Sequence, residues 1–370
     1  MGFDQIHLTV VSGGAILGIL FGLIAQSIRF CILGSISDFL IYKNPTRAKM
    51  WLIALLSATI TTQTLIHYNV ISPISSPFID IKVQWFASLL GGVCFGFGMS
   101  LASGCGSRAL IRFGEGNLKG LFVVLVISFS ALITLKGILS PVRVIFLEEI
   151  NFSISEYSDL VSIISSFIGH EGIVREVLIW FIFLFLILII FLSFFNGKNF
   201  NRINFENYFF SIFLGFLITS GWFLTGNIGF ISEHPDTLEN AYIATNSNSI
   251  ESFTFIGPIA YSSELLMFWS DNSKKLTFGI SIVIGTILGS LISALYRKTF
   301  KFEGFTSSTD FYYHMAGGFL MGVGGVTAMG CSIGHGLSGL SFLSTNSIIA
   351  IISIWIGAYL GLEYIQKQNQ

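Results

Sequence analysis

The stretch GGVCFGFGMSLASGCGS, residues 91–107, returns further along the chain as GGFLMGVGGVTAMGCSI, residues 317–333. Residues 91–105 and 317–331 align without gaps, and seven of the fifteen positions agree. Gly91, Gly92, Gly96, Gly98, Ala102, Gly104 and Cys105 repeat as Gly317, Gly318, Gly322, Gly324, Ala328, Gly330 and Cys331. Composition alone would match about one or two. Hydropathy stays in phase downstream: the next apolar run starts near Lys119 in one copy and near Thr345 in the other. The same glycine-studded run therefore ends twice on a cysteine, and the surrounding solvent decides what this means.

That solvent is lipid. Hydrophobic residues make up 53% of the 370 and charged residues 11%, against about 25% charged in a soluble chain. Mean hydropathy is +0.78. A net charge of −1 and a pI near 6.6 give no footprint for nucleic acid. Four cysteines are too few for a disulfide scaffold. There is no Walker A pattern and no dense Cys/His cluster with zinc spacing. No cofactor and no metal are expected, and a transporter of this kind is a channel-like facilitator or a secondary carrier, not an ATP-driven pump by itself. No Lys or Arg precedes the first apolar run, so that run reads as a retained span and not as a secretory signal.

A spanning helix needs about 20 apolar residues. Nine segments qualify: 8–26, 48–67, 83–103, 119–139, 175–195, 207–225, 276–296, 311–330 and 344–365. If the N-terminus lies outside, the inner loops and tail hold 13 of the 19 Lys and Arg residues, Arg29, Arg108 and Arg112 among them. The outer side takes most of the acids, in 140–174 and 226–275. The positive-inside bias therefore puts the N-terminus outside and the C-terminus in the cytoplasm.

The third and eighth spans carry the repeat. Five steps separate them, so one copy runs inward and the other outward. The chain reads as an all-α polytopic membrane protein, one membrane domain over 1–370. A first half (8–139) and a second, inverted half (207–365) flank a linker helix (175–195). Transporters built on such inverted repeats bind substrate near the midplane, where broken helices point their ends at it. The apolar stretches 30–42, 105–113 and 331–343, and part of 226–268, are too short to cross and read as re-entrant segments.

Cys105 and Cys331 each sit where a span turns into such a segment, one approached from each side. Cys31 opens the segment at 30–42 on the same side as Cys105. Three thiols are thus strung along one path. A neutral thiol is a weak donor and a weak acceptor, and weak contacts let a solute leave each site as readily as it enters. Sulfur is soft and polarizable, so the row favours a solute bearing sulfur or selenium. Gly104 and Gly330 let the chain turn at each cysteine. Arg108 and Arg112 can draw anions to the inner mouth or serve only to set topology. His335 can bond the solute, carry a proton or cap backbone in its turn. Cys94 has Leu320 as its counterpart and reads as packing. Lys136 reads as a snorkelling residue and Glu264 as an interface residue.

The residues RFC (29–31), ASGCGSRALIRFGEGNLKGL (102–121) and MGCSIGHGLSGLS (329–341) resemble the YeeE/YedE family of bacterial membrane proteins. With the nine-span plan, the resemblance covers nearly the whole chain. It implies thiosulfate uptake across the bacterial inner membrane. It also implies an hourglass of nine spans with re-entrant segments, and passage of the ion by S–H···S hydrogen bonds along Cys31, Cys105 and Cys331. A small sulfur-carrier protein of the TusA type often accompanies family members and is an expected cytoplasmic partner. The region RFCILGSISDFLIYKN (29–44) resembles a branch tied to selenium metabolism, so a selenium compound stands beside thiosulfate as substrate. A membrane thiol enzyme forming a persulfide or disulfide is the rival from another class, and a structural subunit with inert cysteines is a third.

Overall fold

The computed structural model describes residues 2–80, 82–151, 158–168, 171–195, 202–234, 238–271 and 273–368. Lys198, counted above on the inner side, lies outside the described residues. The chain is helical almost throughout. The helices are α1 (Phe3–Ser27), α2 (Ile32–Leu40), α3 (Thr46–His67), α4 (Trp85–Leu101), α5 (Gly106–Gly114), α6 (Leu118–Lys136) and the single turn α7 (Ser140–Val142), then α8 (Leu160–Ile168), α9 (Glu171–Phe195), α10 (Arg202–Phe223), α11 (Ile256–Met267), α12 (Phe278–Tyr296), α13 (Ser308–Thr327) and α14 (Thr345–Gln368). A two-residue antiparallel ladder pairs β1 (Phe230–Ile231) with β2 (Ala241–Tyr242).

Seven segments among the described residues are long and apolar enough to cross a membrane. Two of them, 3–40 and 85–114, join a long helix to the short one after it, α1 to α2 and α4 to α5. The seven correspond to expected spans one to four, six, seven and nine. The other two expected spans coincide with α9 and α13, which have spanning length at 25 and 20 residues but are not among the seven. The protein is thus an all-α, multi-pass membrane protein. The short helices α2, α5 and α11 and the π-helical turn Gly334–Gly339 stand where the apolar stretches too short to cross were read. The segment 140–174, read as an outer loop, contains α7 and α8, and α8 is tied down by the bridge Asp159↔Ser344.

The quoted glycines bring helix backbones together. In α4 and α13 they divide into two sets. Gly91 and Gly98 face Gly324 and Gly317: a Cβ at Gly98 would come within 2.7 Å of the Gly317 carbonyl oxygen, and one at Gly324 within 2.6 Å of the Gly91 oxygen. The other set faces outward. Gly92 and Gly96 lie against α14, where a Cβ at Gly96 would run into the Ile354 carbonyl. Gly318 and Gly322 lie against α6, where a Cβ at Gly322 would come within 2.8 Å of the Ile127 oxygen. Small residues at such seams give the backbone contact that drives association in lipid. The remaining long helices pair in the same crosswise manner, α1 with α12 and α3 with α10.

Candidate functional site

Each of the three candidate cysteines follows one local design. Arg29, Ser103 and Met329 adopt left-handed backbone, with φ of 53°, 55° and 62°. This left-handed residue closes the preceding helix. Two residues after it comes the cysteine, in extended backbone at Cys31 and Cys105. The residue between them returns its N–H to the last turn: Phe30 to Ala25, Gly104 to Met99 and Gly330 to Gly325, at 2.9, 2.9 and 2.8 Å. That is the six-to-one bond of a Schellman ending. Each cysteine carbonyl then accepts the first N–H of the next helical segment, from Ser35, Ala109 and His335 at 3.0, 2.9 and 2.8 Å. A long helix stops and the chain restarts as a short helical segment, with the thiol on the residue just before it.

The short segments meet inside the bundle. The Cys31 and Cys105 side chains are neighbours. Cys105 Sγ lies 3.2 Å from the Ser107 hydroxyl. The Ser332 hydroxyl is fully buried and lies beside the Cys105 thiol. Cys331 Sγ accepts the Gly334 N–H at 3.3 Å and lies 3.9 Å from the Thr254 hydroxyl. Cys105 and Cys331 are buried, and Cys31 is partly open. Cys94 lies apart from this group, half-buried on the α4 face that meets Gly324.

A cavity approaches the thiols from each end of the bundle. One, of about 190 Å³, lies where α6 ends and α11 begins; its lining includes Arg143, Glu251, Thr254, Tyr261, Met329 and Gly330. The other, of about 620 Å³, lies where α1, α4, α12 and α14 end, and it holds Cys31 in its lining. Five arginines line it: Arg29, Arg47, Arg108, Arg112 and Arg297. Three have protein partners there, Arg47 with Asp38 at 3.3 Å, Arg108 with Glu115 at 3.5 Å and Arg297 with the Ser27 carbonyl at 3.2 Å. A positive cavity with a thiol in its lining suits an anion with a soft end.

The other expected residues fall as follows. His335 is buried and engages protein through both ring nitrogens, Nδ1 with the Ser347 hydroxyl at 3.1 Å and Nε2 with the Ala328 carbonyl at 2.6 Å. It closes off the end of α13. Gly330 lies beneath that ring, 2.8 Å from Nε2 for a built Cβ, whereas Gly104 faces the aliphatic stem of Arg108. Lys136 bonds both oxygens of Glu264, at 2.9 and 2.8 Å, and Lys274 joins at 2.6 Å. Sequence reading did not single out Ser107, Ser332, Thr254, Glu251 or Arg143. The two serines had a signal, since each lies within two residues of a repeat cysteine. Glu251 and Arg143 had none, because loops of unreadable path bring them to the cavity. Among the described residues no group of three or more His, Cys, Asp or Glu is placed to hold a metal.

Two curated proteins are similar along almost their whole length. A thiosulfate transporter, TsuA, of Escherichia coli strain K12 is 23% identical, with 98% of this chain and 97% of that protein aligned. A thiosulfate transporter, TsuA, of Spirochaeta thermophila is 26% identical, with 93% and 96% aligned. The family model described as Sulphur transport matches residues 28–360, from just before Cys31 to the last helix. The chain belongs to this sulphur transport family, the YeeE/YedE group.

Proposed function

We propose that this protein takes up thiosulfate, or a closely related sulfur-containing anion, through the thiol row Cys331, Cys105 and Cys31. The observation that carries the reading is the arrangement itself: three buried or half-buried thiols, each opening a short helix, between a cavity at each end of the bundle. The names of the two relatives support the substrate, and both are transporters, not enzymes.

The chemistry is as follows. The ion enters the cavity lined by Arg143 and reaches Cys331. Its terminal sulfur takes a weak S–H···S bond, and its oxygens take the hydroxyls of Thr254 and Ser332 and the positive N-terminal ends of the short helices. It passes to Cys105 with Ser107 and then to Cys31, which opens into the arginine-lined cavity. No step holds the ion tightly, which is what throughput requires.

The orientation follows from charge. Arg29, Arg47, Arg108, Arg112 and Arg297 share the larger cavity, so that end is cytoplasmic. The N-terminus is then outside, in a bacterial inner membrane. The crosswise pairing supports the inverted halves: α1 with α12 answers α3 with α10, and α4 with α14 answers α6 with α13. A TusA-type sulfur carrier receiving the product inside, and a selenium compound as alternative cargo, remain part of the proposal.

The test is labelled-thiosulfate uptake in a bacterium lacking its own uptake systems, with sulfate, sulfite and selenium sources as competitors. Cys31→Ala, Cys105→Ala and Cys331→Ala each reduce uptake to background with membrane levels unchanged, while Cys94→Ala stays near the parent. Normal uptake by Cys105→Ala or Cys331→Ala would sink the thiol path.

A further inference from the structure

The cavity that ends on the Cys331 turn holds a carboxyl group on the route of an anion. Glu251, in the loop before α11, lines it with Arg143, Tyr261, Thr254 and Gly330. Its backbone is pinned: Thr225 Oγ1 donates to the Glu251 carbonyl at 2.7 Å, and the Glu251 N–H donates to Thr225 Oγ1 at 3.0 Å. Glu251 Oε1 accepts from the Asn246 N–H at 2.8 Å, the Ser247 N–H at 3.2 Å and the Ser247 hydroxyl at 2.9 Å. Those three bonds hold the loop and would be served equally by a glutamine. Oε2 takes no hydrogen bond among the described residues.

The neighbouring charges are few. Arg143 and Tyr261 share the cavity with Glu251. Beyond Tyr261, Glu264 is paired with Lys136 and Lys274. His7, His234 and Lys275 line an adjoining cavity that shares Asn246 and Tyr261. With Glu251 ionised, the carboxylate opposes the one cation lining the same cavity, Arg143, among the described residues. A dianion entering there meets a like charge in about 190 Å³, which no importer of anions benefits from unless that charge is removed.

We propose that Glu251 is the proton donor of a proton-linked uptake: it carries a proton from the outer water and passes it to the entering dianion. This rests on the reading that the cavity is the anion's entrance. The step balances. Neutral Glu251 and thiosulfate, S₂O₃²⁻, give the Glu251 carboxylate and HS₂O₃⁻, with the proton on the terminal sulfur. The monoanion crosses the thiol row and releases its proton into the arginine-lined cavity. Glu251 is reprotonated from outside. A monoanion costs far less than a dianion to strip of water, which drives the transfer as the ion leaves the cavity. Burial pushes the Glu251 carboxyl above its ordinary value, against the hydrogen bonds from Asn246 and Ser247. Linkage is reciprocal: the proton raises anion affinity by the factor the anion raises proton affinity.

The experiment reconstitutes the full chain in liposomes that contain a pH-sensitive dye, with the membrane potential clamped. Thiosulfate added outside the wild-type protein acidifies the lumen as label enters, and initial uptake rises about tenfold per unit of outer acidification above the Glu251 pKa. Glu251→Gln, which keeps the loop's acceptor, takes up label at a rate independent of outer pH between about pH 5.5 and 8, and the dye stays silent. Label entry by the wild type without acidification overturns the proposal, as does an unchanged pH profile in Glu251→Gln. If no label enters the wild type at any pH, the thiosulfate reading fails. With no thiosulfate entry the proton linkage, which rests on that reading, falls with it.

Discussion

Cys94 and Cys105 lie eleven residues apart in the opening stretch, and their surroundings differ in every respect. Cys94 is on a helix face that packs against Gly324, while Cys105 starts a helix beside another thiol and two serine hydroxyls. The same local logic ranks the two turn glycines. A methyl at Gly104 would meet the stem of Arg108, which can swing aside. A methyl at Gly330 would meet the His335 ring, which two hydrogen bonds hold in place. Gly330→Ala should therefore cut thiosulfate uptake several-fold more than Gly104→Ala, measured at equal membrane abundance. The cysteines were legible because the repeat put them in register. The capping geometry of His335 was not, since its partner is a carbonyl seven residues back, and only the folded turn brings the two together.

At the scale of elements, the glycine seams carry the assembly. A Cβ at Gly96 would strike the Ile354 carbonyl, and one at Gly357 the Val93 carbonyl, from opposite sides of the contact between α4 and α14. Leucine at either position should lower the melting temperature in detergent, by the several degrees that an overpacking cost of about 1–3 kcal/mol implies. A second fixing is electrostatic. Burial pushes the Glu264 carboxyl up, but hydrogen bonds from Lys136 and Lys274 outweigh it and hold the group below its ordinary value. A carboxyl depressed in the folded state adds stability above its unfolded pKa, and that stability is lost as pH falls through the folded value. The clamp on α11 should therefore be fully present at neutral pH and fade below about pH 4.5. Glu264→Gln should flatten the acid limb of a melting-temperature profile between those points. The long helices were readable from apolar runs of spanning length, and the short re-entrant ones from runs too short to span. The helices α7 and α8 were not, because acids and short amphipathic pieces in 140–174 look like any exposed loop.

Across the whole molecule, the proposed path is an hourglass, with a cavity on either side and the thiols at its narrow waist. The larger cavity exposes Cys31, while Cys105 and Cys331 are covered. A membrane-impermeant maleimide should modify Cys31 in inside-out vesicles and leave all three path thiols unmodified in right-side-out vesicles. Labelling of Cys31 from the outer face would reverse the orientation. The charge bias along the chain is the basis of the proposed polarity, but it does not foretell that five arginines from four separate segments converge on one chamber. Their convergence depends on how α1, α3, α5 and α12 pack, which no linear pattern records. The waist also has an electrical consequence. On the proposed path, water filling the two chambers would bring the potential of each compartment close to the thiols, so the membrane voltage would drop mainly across that short gap. Each elementary charge crossing it meets about 2.3 kcal/mol per 100 mV. A dianion moving toward a negative interior would thus climb about 4.6 kcal/mol per 100 mV in one hop between sulfurs, and a proton riding with it would halve the slope.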